Sequence, residues 1–144
     1  MPFATYNGEI TLNDVKLGNT NNIGIVNYIE KPCILSVESY PGNDYGYCLD
    51  NVNAVILKPY HSGTLDTANS CLKDFCNRAK DKNIPVFVTG TYCGVAYKST
   101  ALYSALGVKP VPYGTYISVY MKIWAGISTG KDIDTFIKTK IANE

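Results

Sequence analysis

A chain of 144 residues, 46% of them hydrophobic, is long enough to bury one sizeable core and reads as a single domain. Its 13 basic and 12 acidic residues leave a formal net charge of +1, too little to gather nucleic acid or an anionic membrane, so neither is expected as a partner. No apolar run approaches the ~20 residues needed to cross a bilayer. The stretch from Met1 to Gly8 lacks the basic flank and apolar run of a signal peptide, which makes the expected location cytoplasmic.

Residues 1–30 are rich in Asn, Gly and Thr, with short β-like pieces at Glu9 to Leu12 and Ile23 to Ile29. They read as an N-terminal extension or edge hairpin, followed by an α/β domain over residues 31–144. Cys33 to Glu38 is the first full strand pattern, and Ser39-Tyr-Pro-Gly-Asn43 is a turn by composition. A short helix is expected around Asp44 to Leu49. Ala54 to Pro59 opens with an apolar run that does not alternate, as a strand buried on both faces requires.

The next segment predicts a helix over Leu65 to Lys82, with Leu65, Ala68, Cys71, Leu72, Phe75, Cys76 and Ala79 on one face. Asn83 suits a left-handed stop. Ile84 to Val88 is a third strand, followed by a loop over Thr89 to Tyr97 and a helix from Lys98 to Leu106 that Gly107 ends. Val108 to Val111 is a fourth strand, and Pro110 places it at a sheet edge, because proline donates no ladder hydrogen bond. Thr115 is then the expected N-cap of a helix burying Ile117, Tyr120, Met121, Trp124 and Ile127. A last helix over Asp132 to Ala142 carries Ile133, Phe136, Ile137 and Ile141 on one side. Four strand–helix alternations predict a three-layer α/β fold, a four-stranded parallel sheet with helices on both faces in the Rossmann-like or flavodoxin-like manner.

Five cysteines contain no Cys-x-x-Cys pair; Cys33, Cys71 and Cys76 occupy apolar positions and are read as core. Cys93 lies in the loop Thr89-Gly-Thr-Tyr-Cys-Gly94, where a nucleophile or ligand contact is conceivable, but no acid–base partner accompanies it in sequence. An autonomous enzyme built on Cys93 and His61 is the weakest reading.

Each expected strand is followed by a tyrosine with small polar neighbours: Tyr40, Tyr60, Tyr92 and Tyr113. In a parallel sheet these fall on one rim, where they either cap the sheet with their hydroxyls in water or line a surface for a small ligand or another subunit. The turn Tyr60-His61-Ser62-Gly63-Thr64 holds the only histidine beside hydroxyls and is the first candidate site. Catalytic signatures are missing from the sequence. There is no Gly-x-Ser-x-Gly elbow, no phosphate loop and no dinucleotide fingerprint, and no cofactor or metal is expected.

Tyr40-Pro-Gly42, Ala54-Val-Ile-Leu-Lys-Pro-Tyr-His-Ser-Gly-Thr-Leu65, Asn83-Ile-Pro-Val-Phe-Val-Thr-Gly90 and Ala105-Leu-Gly-Val-Lys-Pro110 follow one another in an order that resembles the C-terminal small domain of bacterial-type L-asparaginases, including the asparaginase-like subunit of an archaeal tRNA-dependent amidotransferase. The likeness covers roughly residues 30–130, and Phe3 to Leu12 resembles the linker before that domain. His61 and Thr64 stand where the family's turn has glycine and asparagine. The family's catalytic threonines belong to Thr-Gly-Gly-Thr and His-Gly-Thr-Asp motifs of a larger N-terminal domain, and neither motif occurs here.

The resemblance therefore implies a non-catalytic part of an asparaginase- or glutaminase-like amidohydrolase, contributing to a homodimer and partnering a catalytic N-terminal domain. It also implies a neighbour-site contact from Ser62, Gly63 and Thr64 and an effector region at Thr91 to Cys93. The expected ligand is a small amino acid or amide of the asparagine or glutamine type, held by Tyr60, His61, Ser62, Gly63, Thr64, Thr89, Thr91, Tyr92 and Cys93. The alternative is a stand-alone flavodoxin-like small-molecule-binding or regulatory module.

Overall fold

The computed structural model describes residues 4–6, 10–12, 31–91, 97–112 and 114–138. The chain divides into two compact units, Met1–Ile25 with Lys140–Glu144, and Val26–Thr139. In the first, β1 (Ala4–Tyr6) and β2 (Ile10–Leu12) pair antiparallel in the register Ala4↔Leu12, Thr5↔Thr11, Tyr6↔Ile10. The expected strand piece at Ile23 to Ile29 lies outside the described residues.

The second unit is a three-layer α/β domain. Its sheet consists of β3 (Ile34–Glu38), β4 (Ala54–Lys58), β5 (Val86–Thr89) and β6 (Val108–Val111), all parallel and in that spatial order. β4 owes its central place to Ala54, Val55, Ile56 and Leu57, each fully buried, so both faces of this strand are covered. Val55 and Leu57 point to one core cluster with Val86, Val88 and Val108, whereas Ala54 and Ile56 join Phe87 and Val111 in the other. The alternation of period two is thus present in the direction of burial even though the sequence shows no polar partner.

Because the strand order follows the chain order, right-handed crossovers must all lie on one face. They do. The β3–β4 connection places Tyr45 and Leu49 on the same cluster as Leu72, Phe75, Cys76 and Ala79 of α1 (Ser70–Asp81), and Tyr103, after the short α2 (Lys98–Ala101), joins them. The opposite face is covered by α3 (Tyr116–Ser128) through Val119 and Ile123, and by α4 (Ile133–Lys138). A side chain such as Phe75, wholly removed from water, contributes roughly 1.5–3 kcal/mol of transfer free energy.

Five expectations are corrected. The helix around Asp44 to Leu49 does not form. Side chains satisfy the backbone instead: Asn43 Oδ1 accepts from the Tyr45 amide at 2.9 Å and Asp44 Oδ1 from the Gly46 amide at 2.9 Å, while Tyr45 takes a positive φ of 50°. Arg78 of α1 then fixes this irregular connection, its guanidinium donating to the carbonyls of Tyr47 at 3.1 Å and Tyr45 at 2.7 Å.

The helix expected from Leu65 begins at Ser70, because Asp66 Oδ1 bonds the Ala68 amide and Asn69 supplies the N-cap, accepting from Cys71 N at 2.8 Å. Leu65 is still buried, but in a loop, while Ala68 is exposed. α2 ends at Ala101, five residues early, and the remaining stretch to Gly107 is a succession of turns.

The buried face of α3 is only partly the expected one: Tyr120 and Ile127 pack against the core as expected, but the outer residues differ. Ile117 is 70% and Met121 53% exposed, while Val119, Ile123 and Gly126 are buried. Both stripes of this helix are apolar, so periodicity alone does not choose between them. Gly126 does: a Cβ there would sit 3.2 Å from Phe136, so its missing side chain makes room for α4. Among the cysteines assigned to the core, Cys76 is buried and Cys71 half-buried, but Cys33 is exposed at the foot of β3.

Other local signals hold, while the expected course of the last helix beyond Lys138, Ile141 included, lies outside the described residues. Asn83 is left-handed at φ 55° at the end of α1, Gly107 is at φ 71°, Thr115 accepts from Ser118 N at 3.2 Å as the α3 cap, and β6 is an edge strand. No helix among the described residues is long and apolar enough to cross a membrane.

Candidate functional site

Parallel strands in register bring the segments after Glu38, Lys58, Thr89 and Val111 to one rim. The turn after β4 is closed by two backbone bonds, Tyr60 N to Thr64 O at 2.9 Å and Gly63 N to Tyr60 O at 2.8 Å. This leaves His61 and Ser62 exposed at its tip, with Tyr60 and Thr64 half-buried on its flanks. The Ser62 and Thr64 hydroxyls share a hydrogen bond of 2.8 Å. Ser62 thus pairs with a threonine and not with the adjacent imidazole, an arrangement that activates no nucleophile.

Gly63 fits the turn for two reasons. Its φ is +74°, and a Cβ on it would lie 2.9 Å from the carbonyl oxygen of Gly90. The β4 turn therefore rests directly on the backbone just beyond β5. Thr89 and Thr91, on either side of Gly90, are 4% and 5% exposed, and the Thr91 hydroxyl finds no hydrogen-bond partner among the described residues. Tyr92 and Cys93, also expected at the site, lie outside the described residues, as does Tyr113. Tyr40 is 52% exposed on the rim.

Beneath the rim lies a set of polar groups that the sequence reading did not single out. Ser39 donates its amide to Lys58 O at 2.9 Å, and the buried Tyr45 hydroxyl reaches Ser39 Oγ at 3.4 Å. Asn43, buried, donates from Nδ2 to Glu38 O at 2.9 Å, and its carbonyl receives Asn69 Nδ2 at 3.3 Å. Tyr103 accepts the Leu65 amide on its hydroxyl at 3.1 Å. Burial pushes the Tyr45 and Tyr103 phenols above the ordinary value of 10.0 and so keeps them protonated. The usable sequence signal was the Asn-Asp pair at 43–44, an Asx-turn former; Tyr45 and Tyr103 had none, since their partners are distant in the chain.

Lys58, last residue of β4, lies with its ammonium 4.2 Å from the centre of the Tyr116 ring at the start of α3. The rim is chemically a surface of hydroxyls, amides and aromatic edges with the Lys58 cation nearby. It can hydrogen-bond a small neutral or zwitterionic molecule. Among the described residues, no group of three or more His, Cys, Asp or Glu side chains could hold a metal ion.

A groove of about 620 Å3 lies elsewhere, along β6 between Tyr103 and Ile137, and none of the expected rim residues lines it. No protein-family model matches the chain, and no curated protein matches it in sequence.

Proposed function

We propose that this chain is the non-catalytic small domain of an asparaginase- or glutaminase-like amidohydrolase, supplying ligand or effector contacts and dimer contacts to an enzyme whose catalytic groups lie on a separate N-terminal domain. The observation that carries this reading is the convergence of the two segments matched to the family's contact turn and effector region, the 60–64 turn and the Thr89–Thr91 loop, onto one rim where Gly63 packs against Gly90 and the Thr91 hydroxyl is buried without a partner among the described residues. A buried hydroxyl in that state has unused hydrogen-bonding capacity, and an amide or carboxylate ligand, or a facing domain, uses it.

The ligand is a small amino acid or amide of the asparagine or glutamine type, held by Tyr60, Ser62, Thr64 and Thr91 with His61 at the outer lip. Strand order also weighs here. The four strands of this sheet run in chain order without reversal, and the crevice of doubly wound sheets opens where that order reverses. Without such a crevice the rim needs a facing surface to enclose a ligand, which suits a domain that works with a partner better than a stand-alone flavodoxin-like module.

The test is a thermal-shift titration of the whole chain with asparagine, glutamine, aspartate and glutamate, run beside an ammonia-release assay on the two amides. A ligand that binds only the folded state at about 100 times its Kd adds roughly 2.7 kcal/mol. The expected result is a rise in Tm with an amide, lost in Thr64→Ala, and no ammonia. Ammonia release by this chain alone overturns the reading, because it assigns the chain no nucleophile.

A further inference from the structure

We infer that the open edge of the sheet at β6 is closed to strand addition, so that this domain does not associate by extending its sheet there. The Val108 amide donates to the carbonyl of Tyr103 at 2.9 Å, five residues back, and not toward β5. Residues of a strand alternate in the direction of their backbone groups, so the ladder to β5 runs through Lys109 and Val111. The outward-facing groups then belong to Val108 and Pro110. One of these amides is already bonded and the other does not exist. What remains on the edge is carbonyl oxygen alone, and a strand docking beside it finds no donor.

A third device stands over the same edge. Lys109, exposed on β6, pairs with Asp134 of α4 at 2.5 Å, placing a charged pair beside the strand. A groove of about 620 Å3 here is lined by Phe87, Val108 and Val111, and Lys109 and Pro110 beside it are exposed, so the edge is accessible yet unable to complete a ladder.

The test is Pro110→Val, which returns one outward amide to a good strand former. Since residue 110 faces away from β5, the variant keeps the parent's far-UV circular dichroism, while light scattering after size exclusion shows its mean mass shifting upward with concentration beyond that of the parent. In the parent, hydrogen exchange protects the Val108 amide along with those of Lys109 and Val111. A folded variant with the parent's mass profile overturns the inference, and so does a Val108 amide that exchanges like an exposed loop. A variant that fails to fold also overturns it, because a residue 110 that faces away from β5 has room for an amide hydrogen and valine is the better strand former.

Discussion

Gly63 and Gly90 meet backbone to backbone: a Cβ on Gly63 would lie 2.9 Å from the Gly90 carbonyl oxygen, closer than such atoms approach. The contact joins the turn after β4 to the loop after β5, and the left-handed φ of +74° at Gly63 adds a second demand that only glycine meets at low cost.

Gly63→Ala is accordingly expected to lose about 1–3 kcal/mol, from left-handed strain and from pushing the two loops apart. Gly90→Ala, also left-handed at φ 67° but with nothing within 4 Å of its would-be Cβ, loses less. Urea unfolding of both variants measures the difference, and equal losses would show that the contact contributes nothing beyond backbone strain.

Tyr103→Phe keeps the buried ring but removes the oxygen that accepts the Leu65 amide at 3.1 Å. An orphaned buried amide costs about 1–3 kcal/mol. The loss appears in denaturant midpoints, and hydrogen exchange localises it at Leu65, between the rim turn and α1.

Ile123→Ala and Ile117→Ala separate the two apolar stripes of α3. Ile123 is fully buried, and its truncation is expected to cost about 2–5 kcal/mol; Ile117, 70% exposed, loses under about 1 kcal/mol. Comparable costs would mean that the outward stripe is covered in solution, which mass measurements across a dilution series would then reveal.

The buried titratable groups predict loss of stability at alkaline pH. Burial raises the Cys76 thiol from 9.0 to about 11, and raises the Tyr45 and Tyr103 phenols as well. Above pH 9.0 the unfolded chain gives up the thiol proton that the folded chain retains, so stability falls as pH rises and the thiol's share of that fall is complete a little above pH 11. Urea midpoints followed through this window should decline, and Cys76→Ala, though less stable throughout, should decline less steeply.

Asp50 acts at the other end of the scale. Hydrogen bonds from Lys82 and Cys48 hold its carboxyl below the ordinary 3.8, so the clasp is complete above that value and released as pH falls through the lower folded value. Its exposure keeps the effect small, and Asp50→Asn should leave neutral-pH stability nearly unchanged.

The sequence by itself determined the layers, the four strands, the edge position of Pro110, the Thr115 cap and the left-handed stop at Asn83, because each depends on composition or on neighbours within a few residues. It also brought Tyr60 to Thr64 and Thr89 to Thr91 to one rim, since parallel strands fix which ends coincide. Tertiary structure alone decided the rest. Asx turns and Arg78 displaced the expected helix at 44–49, Asn69 moved the start of α1, and Gly126 turned Val119 and Ile123 inward where the spacing pointed to Ile117 and Met121. In each case the local pattern admits two arrangements. The choice fell to a contact with a residue far away in the chain or to a side-chain bond that periodicity does not register.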